Sequence, residues 1–269
     1  MVSEFTKRTN ATEEDVIHKT ESRATLAKAK GVKDEDSDDE DTQNDTSLNQ
    51  ALSNLPGSIL QSYQSVESYM TETIDTWAFE TYKLEEHPIL FLSIWIFEKY
   101  DLLNTFNFDP MLFNNYMLAI EKSYHSDNAY HNMYHGADVL QAVYFLANLE
   151  NISPKFSDID LLCLFFSAAV HDVDHPGLNN NFLVTTDNPM AVLYNNRSVL
   201  ENHHVSFAFR LHEEIPVWSQ LSRITFKKFR DWSIDLVLST DFSQHFGIMG
   251  EFKSKVNLGI KRVNISIFG

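Results

Sequence analysis

The amino-acid sequence predicts an all-α protein, a compact multi-helix bundle, and three observations carry that expectation. Downstream of Pro56-Gly57, apolar and aromatic residues recur with helical periodicity, and strand-like alternation is hard to find. Prolines and capping residues stand where the periodic segments begin. An apolar run over residues 161–170 ends in His171-Asp172, and Pro176-Gly177 then stop the helix and turn the chain.

Residues 1–55 read as a disordered acidic tail. They are polar, poor in aromatics and broken by Asp34-Glu35-Asp36-Ser37-Asp38-Asp39-Glu40-Asp41, a composition that cannot offset chain entropy by apolar burial. The acidic run is a solvating segment, or a regulatory phosphosite at Ser37 among acidic neighbours. Residues 56–269 form the folded portion. Trp77, Phe79 and Tyr82 open it, and helices follow over about 90–100 and 111–120. Pro88 and Pro110 fall at their starts, Asp109 is placed to cap the second, and Asn107-Phe108-Asp109 supplies the connecting turn. Further helices are expected over about 138–149, 157–170, 189–194, 199–213 and 225–239. Ser157 with Asp160, Asn188 before Pro189, and Ser198 with Glu201 mark three of the starts.

With 269 residues, 43% of them hydrophobic, the chain is long enough for one sizeable core beside a polar tail. A formal charge of −17 and the absence of a Lys/Arg stripe argue against a nucleic acid polymer as partner. A small phosphate ester is not excluded, because divalent cations reverse the local field inside an acidic protein. Cys163, the only cysteine, lies within Leu161-Leu162-Cys163-Leu164-Phe165-Phe166 and reads as a small buried hydrophobe without a disulfide partner. The longest apolar runs, 88–97 and 161–170, are too short to span a bilayer, and the amino terminus has no apolar signal core. A cytoplasmic protein without membrane insertion is expected.

The chemistry concentrates in two motifs, His131-Asn132-Met133-Tyr134-His135 and His171-Asp172-Val173-Asp174-His175. Six of the eleven histidines lie between His131 and His204, and the spacing of four within each motif suggests one helical face per pair. Imidazole nitrogen and carboxylate oxygen suit zinc and harder divalent ions. A helix buried along its length that ends in His171-Asp172 pushes both groups into a cavity, where an unpaired carboxylate costs several kcal/mol and a cation is the natural compensation. His171 can then bind one ion while Asp172 bridges to a second. His175 either supports the ligands or seals the helix end. Glu201 either closes a capping box with Ser198 or orients the reacting groups, and His203 and His204 are weaker candidates. No serine sits in a nucleophile-elbow motif.

Three stretches in order, 130–139, 169–177 and 194–204, together with Leu238-Ser239-Thr240-Asp241, give the chain a resemblance to the catalytic domain of class I 3′,5′-cyclic-nucleotide phosphodiesterases, over roughly residues 77–246. The resemblance implies a helical metal-hydrolase fold of the HD kind and two divalent ions per site, Zn2+ and Mg2+ (or Mn2+). His135, His171 and Asp172 would bind zinc, and Asp172 would also reach the second ion. His131 would contact substrate and protonate the departing 3′ oxygen, with His175 and Glu201 in support. The substrate would be a cyclic nucleotide, either cyclic AMP or cyclic GMP, in signal transduction.

The family pattern continues beyond the last residue of this sequence. Its second half normally donates an aspartate to the metal shell, together with the glutamine and aromatic residue that hold the base. Residues 247–269, with Lys253, Lys255, Lys261 and Arg262, match nothing in it. The expectation is a C-terminally truncated domain with weakened metal binding, exposed apolar helix faces and impaired activity. A further departure, Gly136 where relatives carry alanine, is expected to loosen its helix start. Two rivals stand beside the enzyme reading. One is a catalytically silent fragment that acts by binding, for instance in a homo- or hetero-oligomer. The other is an HD-type hydrolase of different nucleotides.

Overall fold

The computed structural model describes residues 46–150 and 152–257, and among them there are twelve α-helices and no strand. In chain order these are α1 (Thr46–Ser53), α2 (Gly57–Thr73), α3 (Pro88–Lys99), α4 (Leu102–Thr105), α5 (Pro110–Lys122), α6 (Met133–Ala147), α7 (Asp158–Val170), α8 (Asn180–Thr185), α9 (Pro189–Leu193), α10 (Val199–Glu214), α11 (Arg223–Leu238) and α12 (His245–Asn257). The acidic run, Ser37 and residues 258–269 lie outside the described residues.

Helix α3 is apolar almost all round. Pro88 through Ile94, Ile96 and Phe97 are buried, against α1, α5 and α6. A helix start this deep must satisfy its free N–H groups without water. His87, at the N-cap in a left-handed conformation, provides no side-chain cap. Glu121 of α5 does it instead, accepting from the Ile89 and Leu90 N–H groups at 2.8 and 3.2 Å and meeting His87 Nδ1 at 2.6 Å. Glu121→Ala leaves both amides unpaired and is expected to destabilise the fold by about 2–3 kcal/mol in denaturant titrations. The hydrogen bond to Glu121 also raises the His87 imidazole above its ordinary value, against the opposing pull of burial. A folded-state value above the unfolded one gives stability that is complete below about pH 6.5 and is lost as pH rises through the raised value. Unfolding midpoints of the parent should therefore decline over that window, and those of Glu121→Ala should decline less.

Helix α7 begins with the expected capping box, in which the Ser157 N–H donates to Asp160 Oδ2 at 2.8 Å. It lies between α6 and α11 and buries Leu161 to Cys163 and Phe165 to Val170. Burial pushes the Cys163 thiol up to about 12, so it remains a protonated, inert core residue. Phe166 of α7 meets Trp218 and Phe229 edge-on at 5.5 and 4.9 Å, and Tyr116 of α5 donates to the Ala208 carbonyl of α10 at 2.8 Å. Phe166 also meets Phe209 at 5.4 Å, which packs α7 beside α10.

The proline and asparagine starts of α3, α5 and α9 fall as expected, with Asp109 accepting from the Met111 N–H and Asn188 from the Met190 N–H. Helix α6 starts earlier than expected, at Met133, because Asn132 caps it by accepting from the Tyr134 N–H at 3.0 Å. The N-terminal boundary also differs. Residues 46–53, assigned to the tail by composition, are helical, with Ala51 and Leu55 buried and the Asn114 side chain donating to the Ala51 carbonyl. Ala51, Leu52 and Leu55 form a short apolar face that an average over a long polar segment hides. At the other end α12 buries none of its side chains, and Phe246, Phe252 and Val256 are more than half exposed.

Candidate metal centre

The two histidine motifs meet, though not as pairs on helical faces. His131 precedes α6 and His135 lies in its first turn, while His171 is the C-cap of α7 and residues 172–175 are non-helical turn. The spacing of four works because each motif straddles a helix end, where the chain changes direction and both side chains aim at one gap. Short polar side chains fix that geometry. Asn128 donates to the His131 and His175 carbonyls at 3.0 and 2.8 Å, tying the two motifs together. Tyr124 donates to the Ala169 carbonyl and accepts from the Asp172 N–H at 3.0 and 3.4 Å. Gly136 is what lets Tyr124 in: a Cβ there would stand 2.9 Å from the Tyr124 ring and 3.0 Å from Ile89. Its role is close packing, not a loosened helix start.

Three ligand atoms converge. His135 Nε2 and His171 Nε2 are 3.2 Å apart, and Asp172 Oδ2 is 3.2 Å from the first and 3.3 Å from the second. Donors about 2.0–2.1 Å from one tetrahedral cation stand about 3.4 Å from one another, so the triangle is the size that zinc-like coordination requires. His171 Nδ1 donates to the Ala168 carbonyl at 2.8 Å, so the neutral ring turns its Nε2 lone pair toward the other two atoms. A nitrogen lone pair and a carboxylate oxygen at this range repel unless a proton or a cation lies between them. Burial opposes ionisation of Asp172, but hydrogen bonds from His135 and His171 outweigh it and hold the carboxyl well below its ordinary range. Burial likewise opposes charge on His171, and Asp172 overcomes it, so that imidazole sits above its ordinary value. A cation at this gap would therefore compete with protons for the same atoms.

A second set adjoins the first through the same carboxylate, made of Asp172, His175 and His204. His204 is buried, donates Nδ1 to the Val173 carbonyl at 2.6 Å, and leaves an unpartnered Nε2 at 3.5 Å from Asp172 Oδ1. Burial pulls it down to about 3, so it stays neutral. His175 accepts the Gly177 N–H on Nδ1 at 3.0 Å, which puts the proton of the neutral ring on Nε2, and burial pulls it down to about 4. The two rings thus offer opposite polarities, a lone pair from His204 and an N–H from His175. Gly177 itself sits at φ +74°, packed on Asn128. His131 stacks on His175 at 3.9 Å and stands 4.0 Å from Asp172 Oδ2, beyond hydrogen-bond reach. Burial lowers its imidazole, Asp172 opposes that fall, and His135 and His171 add to it.

His131, His135, His171, Asp172, His175 and His204, with Glu201, Thr240, Asp241 and Phe242, line one cleft of about 730 Å³. Glu201 is not part of a capping box. Ser198 adopts φ +40° and makes no cap, because its hydroxyl donates to Asp241 at 2.6 Å. Asn180 replaces it, accepting from the Leu200 N–H at 2.9 Å and donating its amide to both Glu201 oxygens. Burial raises the Glu201 carboxyl, and Asn180 opposes the rise. The remaining sequence candidate, His203, does not line the cleft and instead meets Asp174 Oδ2 at 2.8 Å. No helix among the described residues is long and apolar enough to cross a membrane.

An all-α fold whose helix ends bring histidines and an aspartate to a cation-sized gap defines the helical His/Asp metal-site class of the HD kind. Residues 130–265, just over half of the chain, match the family described as 3′5′-cyclic nucleotide phosphodiesterase, and the chain belongs to that family; the match runs to residue 265, which corrects the expectation that the resemblance ends near residue 246 and that residues 247–269 match nothing in the family. The 3′,5′-cyclic-AMP phosphodiesterase 4C of Mus musculus is 37% identical over 191 residues, covering 69% of this chain and 28% of that protein. Its Rattus norvegicus counterpart is 36% identical, covering 69% and 36%. The chain thus spans about a third of the length of these curated relatives. The crystal structure of the phosphodiesterase domain of Salpingoeca rosetta rhodopsin phosphodiesterase superposes with a TM-score of 0.67 at 26% identity, over 75% of this chain and 61% of that one.

Proposed function

We propose that the chain carries the metal-binding residues of a 3′,5′-cyclic-nucleotide phosphodiesterase site that opens the cyclic ester to a nucleoside 5′-monophosphate. The observation that supports this most is the triangle of His135 Nε2, His171 Nε2 and Asp172 Oδ2, each within 3.3 Å of the others. On this reading those three groups would hold Zn2+, and Asp172 would also serve a second divalent ion, Mg2+ or Mn2+. Bound divalent ions supply Lewis acidity toward phosphoryl oxygens and water. His131 is the proton donor. It stands at the cleft edge with one face on His175, and no hydrogen bond to Asp172 occupies its Nε2, which is free to deliver a proton to the departing 3′ oxygen. His175 directs its Nε2–H into the cleft as a donor to a phosphoryl oxygen, while Glu201, fixed by Asn180, orients water. Cyclic AMP is the first substrate to test, since the curated relatives are named for it. A lone buried cysteine is in keeping with a cytoplasmic setting.

The test is hydrolysis of cyclic AMP and cyclic GMP by the purified chain with zinc and magnesium supplied, followed as 5′-monophosphate. Turnover that disappears with chelator and returns with metal is the expected result. Metal binding without any product would favour the rival reading of a silent binding protein, and preference for a nucleoside triphosphate would favour a different HD-type hydrolase.

A further inference from the structure

We propose that Asp174 is a positioning residue for the metal-binding turn, clamped by an imidazole on each side so that Asp172 is held in register with its two sets of partners; this rests on the metal-site reading above. Beyond α7 the chain must turn sharply, and Asp174 does so at φ +58°, a left-handed conformation uncommon in residues with a Cβ, though Asp adopts it more readily than most. Three hydrogen bonds hold it there. The Asp174 N–H donates to the Ser123 carbonyl at 3.0 Å, His125 Nε2 meets Oδ1 at 2.8 Å, and His203 Nε2 meets Oδ2 at 2.8 Å. Ser123 and His125 belong to the end of α5 and the loop after it, and His203 to α10, so the turn is gripped from two separate parts of the fold. The grip from α10 is doubled by the neighbouring His204, which holds the Val173 carbonyl.

Two residues before Asp174, the Asp172 carboxylate must serve two directions at once. Oδ2 faces His135 and His171, and Oδ1 faces His204. A rotation of the turn that improves one set spoils the other, so the register has to come from outside the ligand cluster. His125, Asp174 and His203 do not line the cleft, and their influence on a bound ion passes through the turn alone. A carboxylate that accepts from an imidazole on each oxygen suits this role, since charge-assisted hydrogen bonds are short and directional.

The test measures ion affinity rather than turnover, by competition of the folded chain with a chromophoric chelator for Zn2+ and by the visible spectrum of the Co2+-loaded protein. Asp174→Ala is expected to retain helical circular dichroism, to weaken Zn2+ binding about 10- to 100-fold, and to shift the Co2+ bands. His203→Ala should show part of the loss, and His203→Gln, whose amide N–H can still donate to Asp174, should recover it. A purely structural role would lower the melting temperature without altering the affinity or spectrum of the folded protein. Should Asp174→Ala fail to fold, His203→Ala against His203→Gln decides, with equal affinities overturning the clamp. Folded Asp174→Ala that binds Zn2+ within about twofold of the parent overturns the clamp alone. A parent chain that binds no ion overturns the metal reading and the clamp with it.

Discussion

Asp172→Ala is expected to eliminate cation binding at both sets of ligands and, with it, hydrolysis. Each of its oxygens has its own partners, so no other single substitution removes an acceptor from the His135/His171 triangle and from the His204 side together. A residue that merely orients a ligand costs about 10- to 100-fold in affinity when removed; loss of the shared ligand should exceed about 100-fold for Zn2+ in chelator competition. Folding should suffer as well. Against the opposing pull of burial, hydrogen bonds from His135 and His171 hold the Asp172 carboxyl well below its ordinary range, so the ionised group contributes stability at pH values above the unfolded value of about 4, and the metal-free variant should melt below the metal-free parent. Calorimetry with chelator present checks that, and added zinc should raise the melting temperature of the parent but not of the variant.

His131→Ala separates chemistry from binding. Its Nε2 lies 4.0 Å from Asp172 Oδ2, too far to hold the carboxylate in place, and its contact with His175 is ring stacking. Zinc affinity should therefore stay near that of the parent, while kcat for a cyclic nucleotide falls about 10²–10⁴-fold, the range that a positioned general acid contributes. Leaving-group basicity gives the discriminating control. A 4-nitrophenyl phosphodiester expels a weakly basic phenolate that needs no proton, so parent and variant should hydrolyse it at comparable rates. An equal loss on both substrates would place His131 in substrate or ion binding and remove it as the acid.

Features written in local sequence were legible before folding. Asp109, Ser157 with Asp160, and Asn188 find their partners within three residues, and the helices they start lie where periodicity puts them. The cluster of His131, His135, His171, Asp172 and His175 was legible for a related reason, because two motifs at helix ends can share a gap once the helices pack. Ser198 fails the same reasoning since a tertiary partner, Asp241, takes its hydroxyl, and Asn180 from another helix becomes the cap. Tyr124 and Glu121 act through contacts distant in sequence, and Asn128 joins its local bond to the His131 carbonyl to a distant one with His175, so no spacing or composition signals them. Asp174 lay inside a recognised motif, but its two imidazole partners stand 49 and 29 positions away, which only the folded chain reveals.

The most direct measurement is anomalous scattering at the zinc edge from crystals of the chain grown with Zn2+. One strong peak is predicted about 2.0–2.2 Å from His135 Nε2, His171 Nε2 and Asp172 Oδ2 together, absent from crystals of Asp172→Ala. Zinc bound elsewhere on the chain, with that triangle left without a peak at saturating metal, would contradict the account.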